Sequence, residues 1–184
     1  MRLLHPKYEI ILDNDRSYRF DAADNARKYE RTYRLDDEPY VPSSVHGVRV
    51  FDLERGEEIA SCVLGAAGGA SGIHEHSAIV HDETLVVAVG PFVASLDLPT
   101  LAINWKTQAD DATCFGVYHS VANQCYLSHG ELQIARLSYA GQIDWSRGGA
   151  DIFTNGFTVS DDHVTAVDWN GDVYAWDIRT GKAW

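Results

Sequence analysis

Eight histidines punctuate the 184-residue chain, and their spacing invites the first chemical reading. His74-Glu75-His76 is a His-x-His pair, which sets two imidazoles on one face of a strand, and His81 and Asp82 follow closely. Neutral imidazoles beside a carboxylate are donors for zinc or another divalent transition metal, so His74, His76 and His81 are the candidate metal ligands. A polar loop with scattered histidines accounts for the same residues, because no further ligand stands at a diagnostic spacing. The stretch Gly65 to Gly72 has enough glycine to cradle a phosphate, yet no Gly-Lys-Ser/Thr follows, and a connector fits better. Asp13-Asn14-Asp15 opens like a calcium loop but lacks its glycine and closing glutamate, so a turn is expected. Gly-x-Ser-x-Gly does not occur. His119-Ser120 and Ser128-His129 are sequence neighbours, which on a strand point to opposite faces. No catalytic residue is assigned and no organic cofactor is expected. The cysteines, Cys62, Cys114 and Cys125, are widely spaced without Cys-x-x-Cys, and read as buried small hydrophobes in a reducing compartment.

Charge narrows the partners. The net formal charge is −12. Residues 1–60 hold 10 basic and 13 acidic side chains, whereas residues 61–184 hold 5 and 14. Such a surface repels nucleic acid and an acidic membrane, and suits a basic protein, a cationic ligand or a metal ion. Asp110-Asp111 and Asp161-Asp162 are the candidate partner-binding carboxylates, although aspartate pairs also belong in turns. No apolar run of about 18 residues is present, and Met1-Arg2-Leu3-Leu4-His5-Pro6 lacks the apolar core of a secretory signal, so a bacterial-type cytoplasmic chain is expected.

The elements that position these residues repeat. Trp105, Trp145 and Trp184 recur at intervals of 40 and 39 residues. Each follows a short apolar strand with a polar marker: Asp97, Ser138 or Asp177, with Asp52 as an upstream copy. In Val173-Tyr174-Ala175-Trp176-Asp177-Ile178-Arg179-Thr180-Gly181 the alternation makes a strand, the aspartate binds turn N–H groups, and the glycine supplies a positive φ. A return strand follows, such as Leu101–Trp105 or Gln142–Trp145, and a strand pair precedes, such as Ser77–Val80 with Thr84–Val89. Four antiparallel strands in about 40 residues make a β-propeller blade.

Asp172-Val173-Tyr174-Ala175-Trp176-Asp177-Ile178-Arg179-Thr180-Gly181-Lys182-Ala183-Trp184, after the Asn170-Gly171 turn, resembles a repeat of the quinoprotein-like (PQQ-like) β-propellers. The resemblance extends over about residues 46–184. It implies an all-β propeller in which Trp105, Trp145 and Trp184 wedge between blades, and it carries no quinone. A WD-type propeller has the same shape, but its regular Gly-His and Trp-Asp signatures are missing.

About four four-stranded blades are therefore expected, within one structural domain. Residues 1–45 form an N-terminal strand and an irregular first-blade segment; residues 46–184 form the repeats. Residues 21–35 fit a helix by apolar spacing and a strand by the alternation of Tyr29, Arg31, Tyr33 and Leu35; the strand is preferred. The last repeat breaks off as its return strand begins. Closure is expected from the strand Tyr8–Leu12 completing the last blade, from a small ring, from an open part-propeller, or from two chains making one ring. The functional expectation is a non-catalytic protein-binding module, in the manner of an immunity or accessory protein that docks a basic partner. The alternatives are a metal- or small-ligand site at the histidine loop, with hydrolase chemistry, and a homodimer.

Overall fold

The computed structural model describes all 184 residues, and it contains strands and no helix. Blade 1 combines β1 (Arg2–Leu4), β2 (Tyr8–Asn14), β3 (Arg31–Arg34), β4 (Ser44–Asp52) and β5 (Glu58–Ala66) in the order β1-β2-β4-β5-β3. Blade 2 is β6 (Ala78–His81), β7 (Thr84–Val89), β8 (Phe92–Asp97) and β9 (Ile103–Gln108). Blade 3 is β10 (Cys114–Ser120), β11 (Cys125–Gly130), β12 (Ile134–Ser138) and β13 (Ile143–Arg147). Blade 4 is β14 (Gly156–Val159), β15 (His163–Val167) and β16 (Val173–Asp177), with a bridge from Trp176 to Ala183 beginning a fourth strand. All pairings are antiparallel except β3 beside β5.

The marker residues build the turns as the repeat implies. Asp52 Oδ1 accepts the N–H groups of Glu54 and Arg55, and Asp177 Oδ1 accepts the N–H and hydroxyl of Thr180. Asp97 holds the Thr100 hydroxyl, and the Ser138 hydroxyl receives the Gln142 N–H. Each turn then places one residue at positive φ: Gly56, Leu101, Gly141 and Gly181. Three of the four are glycine, which alone takes that conformation at no steric cost.

Three apolar layers join the four sheets in sequence. Strand alternation divides β7 between two of them: Leu85, Val87 and Val89 face blade 1, while Val86 and Ala88 face blade 3. β11 divides likewise, Tyr126 toward blade 2 and Cys125 and Leu127 toward blade 4. Each fully buried leucine or valine contributes roughly 1.5–3 kcal/mol, so each layer is a substantial core. The three cysteines lie free within these layers, and burial pushes the Cys62 and Cys114 thiols up to about 12, which leaves them unreactive at neutral pH. No fourth layer joins blade 4 to blade 1, so the propeller is open.

Two expectations are corrected. Tyr8–Asn14 does not complete the last blade; it pairs with β1 and β4 in blade 1, where Ile10 and Leu12 enter the first apolar layer. Within residues 21–35 only Arg31–Arg34 is a strand, and the rest is irregular. That irregular stretch covers the outer face of blade 1. Tyr29 lies over Gly47 and Phe20 over Gly65, so closely that a side chain on either glycine would collide. Tyr29 Oη donates to Asp15 Oδ2 at 2.9 Å, Asp13 pairs with Arg27 and Arg49, and the Glu30 N–H reaches Ser61 Oγ.

Candidate functional site

The loop between β5 and β6 carries His74 and His76 onto blade 3. His74 Nε2 donates to the Phe115 carbonyl at 2.5 Å, and the His76 ring stacks on Tyr118 at 4.7 Å. Glycine at 116 permits this approach, since a Cβ there would lie 2.9 Å from the His76 Cβ. His74, His76, Phe115, Tyr118, His129 and Phe157 line an open cleft of about 620 Å³. The His129 ring stacks on Phe157 at 4.7 Å, and burial pulls its pKa down to about 4, so it is neutral at pH 7.

His81 belongs elsewhere. Its Nδ1 is hydrogen-bonded to Tyr126 Oη at 2.9 Å, and its ring packs 4.1 Å from His119, which is hydrogen-bonded to Tyr139 Oη. His74 and His76 therefore share one cleft while His81 joins a second aromatic cluster. No group of three or more histidine, cysteine, aspartate or glutamate side chains converges as a metal cage. The cleft is a stacking and hydrogen-bonding surface.

Asp110 is corrected from an exposed docking carboxylate to an internal one. It is 1% exposed and accepts the backbone N–H groups of Ala112, Thr113, Leu132 and Gln133, which ties the blade 2–3 connection to the β11–β12 turn. Burial raises its pKa against those four donors. Asp111 is exposed and receives the Gln133 side-chain amide. Asp161 and Asp162 are exposed on the β14–β15 turn of blade 4, where Asp162 pairs with His163.

The tryptophans reveal how blades lock together. Trp105, on the last strand of blade 2, donates its indole N–H to the Tyr139 carbonyl in the turn of blade 3 at 2.9 Å. Its ring lies against Gly141 so closely that a Cβ would collide. Trp145 repeats this on blade 4, donating to the Ile178 carbonyl at 2.7 Å over Gly181. Each tryptophan is thus a wedge for the next blade's turn. Blade 1 has Ala60 at the corresponding position and docks differently. Tyr33 Oη donates to the Leu101 carbonyl and Arg31 Nε to the Thr100 carbonyl, both from the added strand β3.

Trp184 holds the wedge register on blade 4, its N–H bonded to the Ala175 carbonyl. The indole of Trp184 has no acceptor, stacks on His163 at 5.0 Å, and is 64% exposed. The blade 1 turn is likewise uncovered: nothing lies within 4 Å of a Cβ built on Gly56, the Leu53 carbonyl receives no donor, and Leu53 is 49% exposed. Sequence reasoning missed Arg31 and Tyr33 as wedges, although their alternation with Tyr29 and Leu35 was the signal. It also missed Asp168, fully buried, which gathers the N–H groups of Asn170 and Asp172 and the Tyr174 hydroxyl.

No protein-family model matches the chain, and no curated protein does. Solved structures do. The computationally designed Ika8 protein aligns with a TM-score of 0.56 at 16% identity, over 76% of this chain and 44% of Ika8. BamB from Moraxella catarrhalis aligns with a TM-score of 0.54 at 17% identity, over 84% of this chain and 51% of BamB. The designed Ika4 protein aligns with a TM-score of 0.51 at 15% identity, over 65% of this chain and 78% of Ika4. The fold is an open β-propeller. The chain spans about half the length of Ika8 and of BamB. At these identities the likeness concerns the fold alone.

Proposed function

We propose that the chain is a non-catalytic protein-binding propeller module of the PQQ-like type, acting in a reducing, cytoplasmic setting. Its partner presents a basic surface, and the role is that of an immunity or accessory protein that occludes what it binds. A second copy of the chain is a further partner. The observation that carries the reading is the free face of blade 4. Val164, Ala166, Tyr174 and Trp176 pack inward, so His163, Thr165, Val167, Val173, Ala175 and Asp177 face outward without a covering sheet. Around them Trp169, Val173 and Trp184 are exposed at 65%, 68% and 64%, among the exposed acids Asp151, Asp161, Asp162 and Asp172. An apolar patch inside an acidic rim fits a protein surface with an apolar centre and basic rim.

The test is capture from the native source at two salt concentrations, then binding of the identified partner to wild type and to Asp161→Lys/Asp162→Lys. Weaker binding by the reversed variant and at high salt supports the reading. Unchanged affinity in both removes the acidic docking face. The alternative, a metal or small-ligand site with hydrolase chemistry, draws support from the histidine cleft. It predicts that zinc titration perturbs His74 and His76.

A further inference from the structure

We infer that the hollow between blades 2 and 3 binds a guanidinium group, the head of an arginine side chain brought by the basic partner. This rests on the protein-binding reading and names a side chain that the partner supplies.

The molecule holds its own precedent one junction further on. Two residues before the turn's marker, a side chain faces the next blade: Ser95 in blade 2 and Arg136 in blade 3. Each pairs across the sheet with a wedge, Trp105 or Trp145. The residue before the wedge is Asn104 in the first case and Asp144 in the second. At the junction of blades 3 and 4 the Arg136 side chain fills the space. It pairs with Asp144, donates from Nη2 to the Asn123 carbonyl in the β10–β11 turn at 3.1 Å, and is 17% exposed. At the junction of blades 2 and 3 the same register holds only Ser95 and Asn104, joined at 3.3 Å. A cavity of about 230 Å³ remains there, with no lysine or arginine in its lining. Sites for drug-sized ligands begin at roughly 300 Å³, so this one suits a single side chain.

Its walls have the chemistry of a cation site. Trp105 comes from blade 2, and Tyr126 and Tyr139 come from blade 3. Their ring centroids lie 6.2 Å apart for Trp105 and Tyr126, and 5.1 Å apart for the two tyrosines. Asp82 is the one carboxylate in the lining, on the β6–β7 turn that corresponds to the turn of Asn123. It faces His81 Nε2 at 3.5 Å and has no arginine or lysine partner, whereas Asp144 has Arg136. Ser95 Oγ, Asn104 Oδ1 and Thr84 Oγ1 supply neutral acceptors. A guanidinium uses the whole set: its plane stacks on aromatic rings, and its five N–H donors meet several oxygens at once. An ammonium would use the charge without the plane. The net charge of −12 draws such a group in. Asp82 also stands on the same end of the blades as Asp161 and Asp162, on the corresponding β14–β15 turn. A partner docked on that end meets both.

The test is titration of the whole isotope-labelled chain with N-acetylarginine amide, read at the indole N–H resonances of its five tryptophans. Trp105→Phe assigns the Trp105 signal. The expected result, at constant ionic strength, is a saturable shift of that signal, and none with the neutral citrulline analogue. Asp82→Lys, on an exposed turn, is expected to weaken probe binding by about 5-fold or more with an unchanged melting temperature. Ser95→Arg/Asn104→Asp copies the Arg136–Asp144 pair into blade 2, and is expected to abolish the shift by filling the cavity. No saturable shift at Trp105, an equal shift with the citrulline analogue, or an affinity unmoved by Asp82→Lys overturns the inference. So does a captured partner that binds the Ser95→Arg/Asn104→Asp chain as tightly as wild type. Probe binding with no partner captured removes the protein-binding reading and leaves the guanidinium site standing. A captured partner without probe binding does the reverse.

Discussion

Blades 1 and 4 stand at the two ends of the same stack and meet solvent in opposite ways. Blade 1 has a cover: the irregular residues before β3 cross its outer face and put Tyr29 and Phe20 against Gly47 and Gly65, with Pro42 beside Phe20, and Val63 on that face is buried. Blade 4 has none, and leaves Val173 and Trp184 exposed. Interior blades need no such device because each face is covered by a neighbour, as in any array whose units contact only adjacent units. Blade 1 is thus covered on its outer face, and the outer face of blade 4 is bare.

The comparison can be broken at the wedges. Trp145→Ala removes a buried ring and its hydrogen bond and should cost about 3–5 kcal/mol in urea unfolding. Acid should act next. His46 and His129 are held near pKa 4 by burial, against an unfolded value near 6.5. Both are neutral in the folded protein and take up protons on unfolding. Their contribution is whole above pH 6.5 and is lost as pH falls toward 4, by up to about 3 kcal/mol for each. Urea midpoints at pH 7 and 4.5 should show the loss, and His129→Phe should reduce it.

Glycine replacement sharpens the contrast between filled and vacant turns. Gly181→Ala meets both the Trp145 ring and a positive φ, and should cost about 2 kcal/mol or more. Gly56→Ala meets only the positive φ, and should cost about 1 kcal/mol. Trp184→Ala closes the series. In dilute monomer its effect on stability should stay within about 0.5 kcal/mol, because the ring is mostly exposed. A loss as large as that of Trp145→Ala would show that blade 4 is capped after all.

Much of the blade architecture was readable because it is local. The apolar, β-branched run Leu85–Val89 and the alternation of Phe157–Val159 make strands from local sequence, and the Asp-to-Gly turns close hairpins within five residues. The site was less readable. Asp110 was read as a turn carboxylate on the surface, yet the β11–β12 turn folds over it from 22 residues away. His81 was grouped with His74 and His76 by proximity along the chain, while pairing with Tyr126 takes it to another cluster.

By itself, the sequence determined the strands, the turns and the unit that repeats, since these follow from alternation, φ preference and short-range hydrogen bonds. Only the tertiary structure decided which units find a neighbour. Tyr8–Asn14 joined the first blade rather than the last, the irregular residues before β3 became its cover, and β3 brought Arg31 and Tyr33 onto the turn of blade 2. The physical reason is that apolar burial has no direction and no range along the chain: it accepts any complementary face, and which one is available depends on the assembled fold.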